Sequence, residues 1–303
     1  MGLRKFLHRF IAKSKQYMTD KKTIRRIGGH VGVAGGLKNG IARAVEIGAN
    51  TIQIFGSSPR QWSVPGHSKK NIEEFQIEAK KHGIFPIYLH ASYLVNLASP
   101  DPVMRKKSEA SLKSQLQLTN DIGADGLIFH IGSGKEMPRA DAIKVVVEAL
   151  SRVIKSVKGP ADLIIENSAG GGQKVGSSIE EIGNVIKKVG HPKIKVCFDT
   201  AHAFEAGIIE EYTPGNIKKL LKDFEKYIGL SRLVALHVND SKTAFNSHHD
   251  RHENLGEGYL GISAFKNLMK ESSLATVAGI LEVPGFDGEG PDRKNIKILH
   301  SLV

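Results

Sequence analysis

From about residue 27 onward, short β-branched apolar runs alternate with longer segments of helical periodicity. The strand candidates are IGGHVGV (27–33), TIQIFG (51–56), FPIYLHA (85–91), GLIFHIG (126–132), DLIIEN (162–167), KIKVCFD (193–199), LVALHVN (233–239) and GILEVP (279–284). Between and after them lie helix candidates at 37–48, 69–82, 104–122, 141–157, 178–189, 216–227, 262–270 and 291–302. Ser68, Pro102, Ser177 and Ser178 stand where helices start, and Gly48, Gly83, Gly123 and Gly190 where they stop. Eight strands alternating with eight helices predict an α/β fold of the (β/α)8 TIM barrel type. An open doubly wound sheet would want a G-x-G-x-x-G turn after its first strand; GVAGG follows here and lacks that spacing.

Composition adds three things. The 43 Lys+Arg against 31 Asp+Glu give a net charge of +12, which favours a polyanionic partner such as nucleic acid or an anionic membrane surface. The one cysteine, Cys197, excludes a disulfide framework and suits a reducing, cytoplasmic setting. Lying in IKVCFDT, it reads as a small buried hydrophobe, so any metal must be held by imidazole and carboxylate. No apolar run is long enough to cross a membrane, and none is expected as a partner. Residues 1–26 carry nine Lys/Arg and one acid, with Leu3, Phe6, Leu7, Phe10 and Ile11 on one helical face. They are read as a basic arm in front of a 27–303 barrel, rather than as a presequence.

The candidate chemistry is positional. Buried parallel strands are near-continuous apolar runs, so the polar groups that end them stand out. His30 lies in the first run; His90 ends the third, His130 the fourth and Glu166 the fifth. Asp199 ends the sixth, with His202 just after; His237 is near the end of the seventh, Asp250 and His252 follow in the next loop, and Glu282 ends the eighth. In a barrel those ends share one rim, where the chemistry sits. A lone strand-end histidine reads as a satisfied core residue. Nine such groups, all but His30, do not, because unpaired buried charge costs several kcal/mol per group.

Imidazole with carboxylate and no thiolate suits zinc, manganese or iron, whereas magnesium prefers more oxygen. Five histidines among the nine point to zinc, with Mn2+ as substitute. Nine groups are too many for one tetrahedral ion, so two or three ions with a bridging carboxylate are implied. Ions clustered about 3.5–4 Å apart acidify a water and steady a leaving oxygen, which is equipment for phosphoester hydrolysis.

At these residues the chain resembles the endonuclease IV family of zinc-dependent apurinic/apyrimidinic endonucleases. HVGVAGGL, SSPRQW, LHASYLVNLASP, FHIGSG, IIENSAGGGQKVG, VCFDTAHAFEAG, LHVNDSK, DRHENLGEGYLG and ILEVPG carry the likeness in order along nearly the whole chain. It implies a (β/α)8 barrel with three zinc ions: His90 and His130 on one, with Glu166 bridging to a second that Asp199, His237 and Glu282 complete. His202, Asp250 and His252 would hold the third, leaving His248, His249 and Glu253 solvated. The implied substrate is double-stranded DNA with a missing base, cut on the 5′ side to leave a 3′-hydroxyl and a 5′-deoxyribose phosphate, as in base excision repair. Glu166 and Glu282 are expected to orient or deprotonate the attacking water as well as ligate.

The likeness also points to Arg60, Tyr93 and Leu94 as the wedge that opens the base stack, since an abasic nucleotide is cheap to extrude. Without it, Tyr93 reads as a core residue at a helix start and Arg60 as a loop charge. Trp62 reads either as packing beneath that loop or as a purely structural residue. GSG (132–134) and GGG (170–172) read as flexible rim loops rather than phosphate cradles. Ile131 stands where the family commonly has proline, and Pro284 with GFDGEG is less typical. The alternative is a metal-dependent sugar isomerase or epimerase on the same barrel, which normally needs one or two ions. A basic DNA-binding protein with a decayed site would lack ligands, and none of the nine is missing. A monomer is expected.

Overall fold

Each of the eight apolar runs contributes one strand to a single closed sheet in the computed structural model, which describes residues 25–303. The strands are β1 (Ile27–His30), β2 (Thr51–Phe55), β3 (Ile87–His90), β4 (Gly126–Phe129), β5 (Asp162–Glu166), β6 (Ile194–Asp199) and β7 (Leu233–His237). A two-stranded hairpin, β8 (Asp240–Ser241) and β9 (His252–Glu253), interrupts the series before β10 (Ala278–Leu281). All barrel pairings are parallel, and β10 closes onto both β1 and β7. The strands are shorter than the apolar runs because the runs extend past the last ladder bond into the rim loops.

Side chains alternate across a strand, and the alternation builds two apolar layers. One set packs between sheet and helices, with Ile52, Ile54, Leu89, Leu127, Phe129, Ile165 and Leu236 among its buried members. A separate plug fills the barrel: Tyr88, Ile128, Ile164, Cys197, Ala235, Ala278 and Ile280. Ala235 and Ala278 leave room for Tyr88, whose hydroxyl donates to the Val234 carbonyl at 3.0 Å. Burial pushes the Cys197 thiol up to about 12, as suits an inert packing residue.

The caps fall where the punctuation placed them. Ser68 and Ser178 accept from the backbone N–H of Asn71 and Glu181, and Gly48, Gly83, Gly123 and Gly190 close their helices in the left-handed conformation. The third helix starts at Pro102, two residues earlier than its periodicity indicates, because Asp101 caps it by accepting from Val103 N–H. Among the described residues one α-helix escapes the reading, Thr200–Glu205, too short to show a period, as do the 3-10 turns Leu230–Arg232 and Ser272–Leu274.

Residues 1–24, most of the basic arm, lie outside the described residues. Arg25 and Arg26, which the reading assigned to the arm, are docked on the barrel. Arg25 donates to the Leu274 carbonyl at 3.1 Å, and the Arg26 guanidinium sits 3.4 Å over the Phe85 ring. Among the described residues no helix is long and apolar enough to cross a membrane.

Candidate metal centre

Two residues beyond the apolar plug, the same strand faces turn polar. Tyr88, Ile128, Ile164, Cys197, Ala235 and Ile280 are followed at i+2 by His90, His130, Glu166, Asp199, His237 and Glu282. The period of two therefore stacks six candidate ligands on a water-excluding floor at the C-terminal mouth. A register shift at Val196/Cys197 brings Asp199 level with His237 on the neighbouring strand. The other three groups come from the loops above. His202 sits in the short helix that Asp199 itself caps, its Oδ1 accepting from His202 N–H at 2.7 Å. The β8–β9 hairpin carries Asp250 and His252 back over the mouth.

All nine meet. His90, His130 and Glu166 form one compact group, and Glu166, Asp199, His237 and Glu282 another. Glu166 joins them: its Oε2 lies 3.1 Å from His90 Nε2 and 3.4 Å from His130 Nε2, its Oε1 2.9 Å from His237 Nδ1. Glu282 Oε2 is 3.1 Å from His237 Nδ1. His202 Nε2 lies 3.2 Å from Asp250 Oδ1 and 3.3 Å from His252 Nε2, with Asp250 to His252 at 3.8 Å. This third group is less separate than the sequence reading has it. His130 also clusters with His202 and Asp250, and Asp199 with His202 and His252, so neighbouring groups share walls.

The far nitrogens of the imidazoles test the fit to a metal. A ligating histidine gives one nitrogen to the ion and anchors the other in the protein. His90 Nδ1 faces the Ala91 carbonyl at 2.8 Å, His202 Nδ1 the Asn167 carbonyl at 3.0 Å, and His252 Nδ1 the Glu282 carbonyl at 3.3 Å. His237 is turned the other way, with Nε2 at 2.8 Å from Gln53 Oε1 and Nδ1 facing the carboxylates. In these four the other nitrogen faces the cluster; His130 turns Nε2 to Glu166, while its Nδ1 is buried without a partner. The donor set fits a borderline metal such as zinc.

Electrostatics agree. Glu166 and Asp199 are fully buried, and Glu282 and Asp250 partly so. Burial works to raise Glu166, yet His130 and His237 hold it well below the usual carboxylate range. Burial pushes His130 down to about 4, keeping a lone pair available. Four carboxylates in so small a space demand positive charge, from imidazolium or from bound cations.

Gln53, Asn167 and Asn239 were missed by the sequence reading. All three are fully buried. Asn167 pairs with the Asp199 backbone, and Asn239 donates to Asp199 Oδ2 at 2.7 Å while accepting from Glu282 N–H at 2.7 Å. The available signal was an amide inside or ending an apolar run, as in TIQIFG, DLIIEN and LVALHVN.

At the rim, Tyr93 lies in a turn, not a helix, and is 65% exposed. Its ring meets Phe55 edge-on at 5.4 Å, and its N–H donates to the Pro59 carbonyl at 3.0 Å, tying its loop to the one that carries exposed Arg60. Leu94 is half-buried beside it, and Trp62 is half-buried with its carbonyl accepting from Ser111 Oγ at 3.3 Å. His248 and His249 are exposed, and Glu253 pairs with Lys242 at 3.6 Å. The two glycine clusters are not loose loops. They are joined by a Ser133–Lys174 bridge and by Val175 N–H donating to the Gly132 carbonyl at 2.8 Å. Gly132 has φ +103°, and a Cβ there would collide with the Asn96 side chain, so glycine is required for close approach.

A family model described as a xylose isomerase-like TIM barrel matches residues 41–302. A protein named probable endonuclease 4, from Halothermothrix orenii, is 38% identical over 275 residues, 90% of this chain and 99% of its own length. Among solved structures, endonuclease IV from Thermus thermophilus superposes with a TM-score of 0.80 at 30% identity, covering 91% of this chain and 98% of that one. A 3-keto-D-glucoside 4-epimerase from E. coli reaches a TM-score of 0.66 at 15% identity, over 92% of this chain and 100% of that one, a likeness of fold alone.

Proposed function

Because the chain belongs to the endonuclease IV family, we propose that it incises double-stranded DNA on the 5′ side of abasic sites, using three zinc ions held by the nine rim residues. The observation that carries this reading is the convergence of those nine groups in overlapping clusters joined through Glu166. A sugar epimerase of the same barrel class would need one or two ions. It would leave the His202, Asp250 and His252 trio without work. Bound zinc would supply Lewis acidity toward the phosphate and lower the pKa of a water at the site.

The chain's own residues do the rest. Glu166 and Glu282 face the cluster from two strands and are assigned to hold and deprotonate the attacking water. The remaining ligands fix the site in place by strand-end geometry, so the groups meet the phosphate without rearrangement. No side-chain nucleophile is needed. Tyr93 and Leu94, supported by Phe55 and the Arg60 loop, are assigned to fill the gap left by the missing base. The net charge of +12 favours contact with phosphates. The reading places the enzyme in the cytoplasm as a monomer.

A labelled duplex with one tetrahydrofuran abasic analogue tests the reaction. Incision 5′ to the lesion with a 3′-hydroxyl product, abolished by a strong chelator, is expected. An uncut duplex with metal-replete protein that epimerises keto sugars would reverse the reading. The wedge is tested by a Tyr93→Ala, Leu94→Ala double variant. Its preference for abasic over intact duplex should fall about 10-fold or more, the size of one or two lost stacking contacts. An unchanged preference would remove both residues from lesion recognition.

A further inference from the structure

Among the described residues, the fully buried amide of Gln53 touches ligand-candidate side chains with both its oxygen and its nitrogen, whereas Asn239 reaches one such side chain and one backbone N–H. It lies in β2, next to His30 of β1 in the parallel register. Its Oε1 is 2.8 Å from His237 Nε2, and its Nε2 is 2.5 Å from Glu282 Oε1 and 2.8 Å from His30 Nδ1. An amide side chain carries one acceptor oxygen and two donor hydrogens, and all are used here. The orientation is forced: a flipped amide would set its oxygen against the Glu282 carboxylate and its N–H₂ against the His237 nitrogen.

We infer that Gln53 is a positioning residue that fixes His237 and Glu282 as a ligand pair for the ion they share with Glu166 and Asp199. By accepting from His237 Nε2–H, it selects the tautomer whose Nδ1 lone pair faces Glu166 and Glu282. By donating to Glu282 Oε1, it leaves Oε2, 3.1 Å from His237 Nδ1, as the oxygen offered to the ion. His30 completes the chain, its ring packed 4.2 Å from Phe55 and its Nδ1 accepting from the amide. His237 is set apart from His90, His202 and His252, which anchor on backbone carbonyls. Its orientation depends on one replaceable side chain.

This inference rests on the proposed metal site, and its test reads metal directly. Gln53→Met keeps length and bulk while removing every hydrogen bond, and Gln53→Leu does so with a different shape. Chelator competition against purified protein, with zinc per chain counted at each step, should show one equivalent held about 10- to 100-fold more weakly in both variants. The remaining equivalents and the melting of the loaded protein should stay close to wild type. In 15N NMR of the stripped protein at a pH where His237 is neutral, it should be the Nε2-protonated tautomer in wild type and lose that bias in the variants. A purely space-filling role would not move either readout. Variants that retain every equivalent as tightly as wild type, or that lose all equivalents together with the fold, overturn the inference and leave the metal reading standing. A wild-type protein that binds no zinc overturns both.

Discussion

Glu166→Gln is expected to lower kcat on an abasic duplex by about 10³-fold or more, with the protein still folded. Glu166 is fully buried and ends β5 above Ile164. Its two oxygens face different groups: Oε2 looks to His90 and His130, Oε1 to His202 and His237. It is the carboxylate shared by the His90–His130 group and the Asp199–His237–Glu282 group. The amide keeps the shape, so the strand end still packs. It replaces one acceptor oxygen with a donor aimed at lone pairs and removes a charge that two ions would share. Because ligation and any proton transfer fail together, the loss should exceed that of a single hydrogen bond. Circular dichroism and turnover under metal-replete conditions check it. Turnover within tenfold of wild type would remove Glu166 from the centre of the mechanism.

Stripping the metal is expected to abolish incision and to destabilise the barrel by about 4 kcal/mol, the linkage expected at a thousandfold excess over Kd. The effect should depend on pH. Burial works against protonation of His202 and His237, but Asp199, Asp250 and Glu166 raise His202, and Cys197, Glu282 and Glu166 raise His237, well above the ordinary imidazole value. A histidine raised on folding stabilises fully below its unfolded pKa of about 6.5 and loses that contribution as pH climbs through the folded value. Stripped protein should therefore lose melting temperature from about pH 6 upward, while loaded protein, with metal as the counter-charge, should change less. Differential scanning calorimetry of both forms at about pH 6 and about pH 8.5 reads this directly. A stripped form whose stability rises over that interval would contradict the charge balance drawn here.

The barrel was legible because its signals are local. A strand buried on both faces is a short apolar run, and a serine or glycine at a helix end has a backbone reason to be there. The site was legible for the same reason in reverse. A His, Asp or Glu ending an apolar run is costly, and six of the nine ligand candidates stand in that position, at i+2 from an interior residue. What the sequence does not carry is long-range. The helix at Thr200–Glu205 is too short for a period, and only the fold shows that Asp199 caps it. Ser133 and Lys174 are far apart in sequence, so two glycine clusters that read as loose prove joined. Gln53 looks like an ordinary strand residue until β1 and β10 bring His30 and Glu282 beside it.

Elemental analysis of the purified, active protein bears most directly on the claim that nine imidazoles and carboxylates enclose a cation cluster. About three zinc ions per chain are expected, falling in step with activity as chelator is added. Undiminished incision by protein carrying no transition metal would contradict the account.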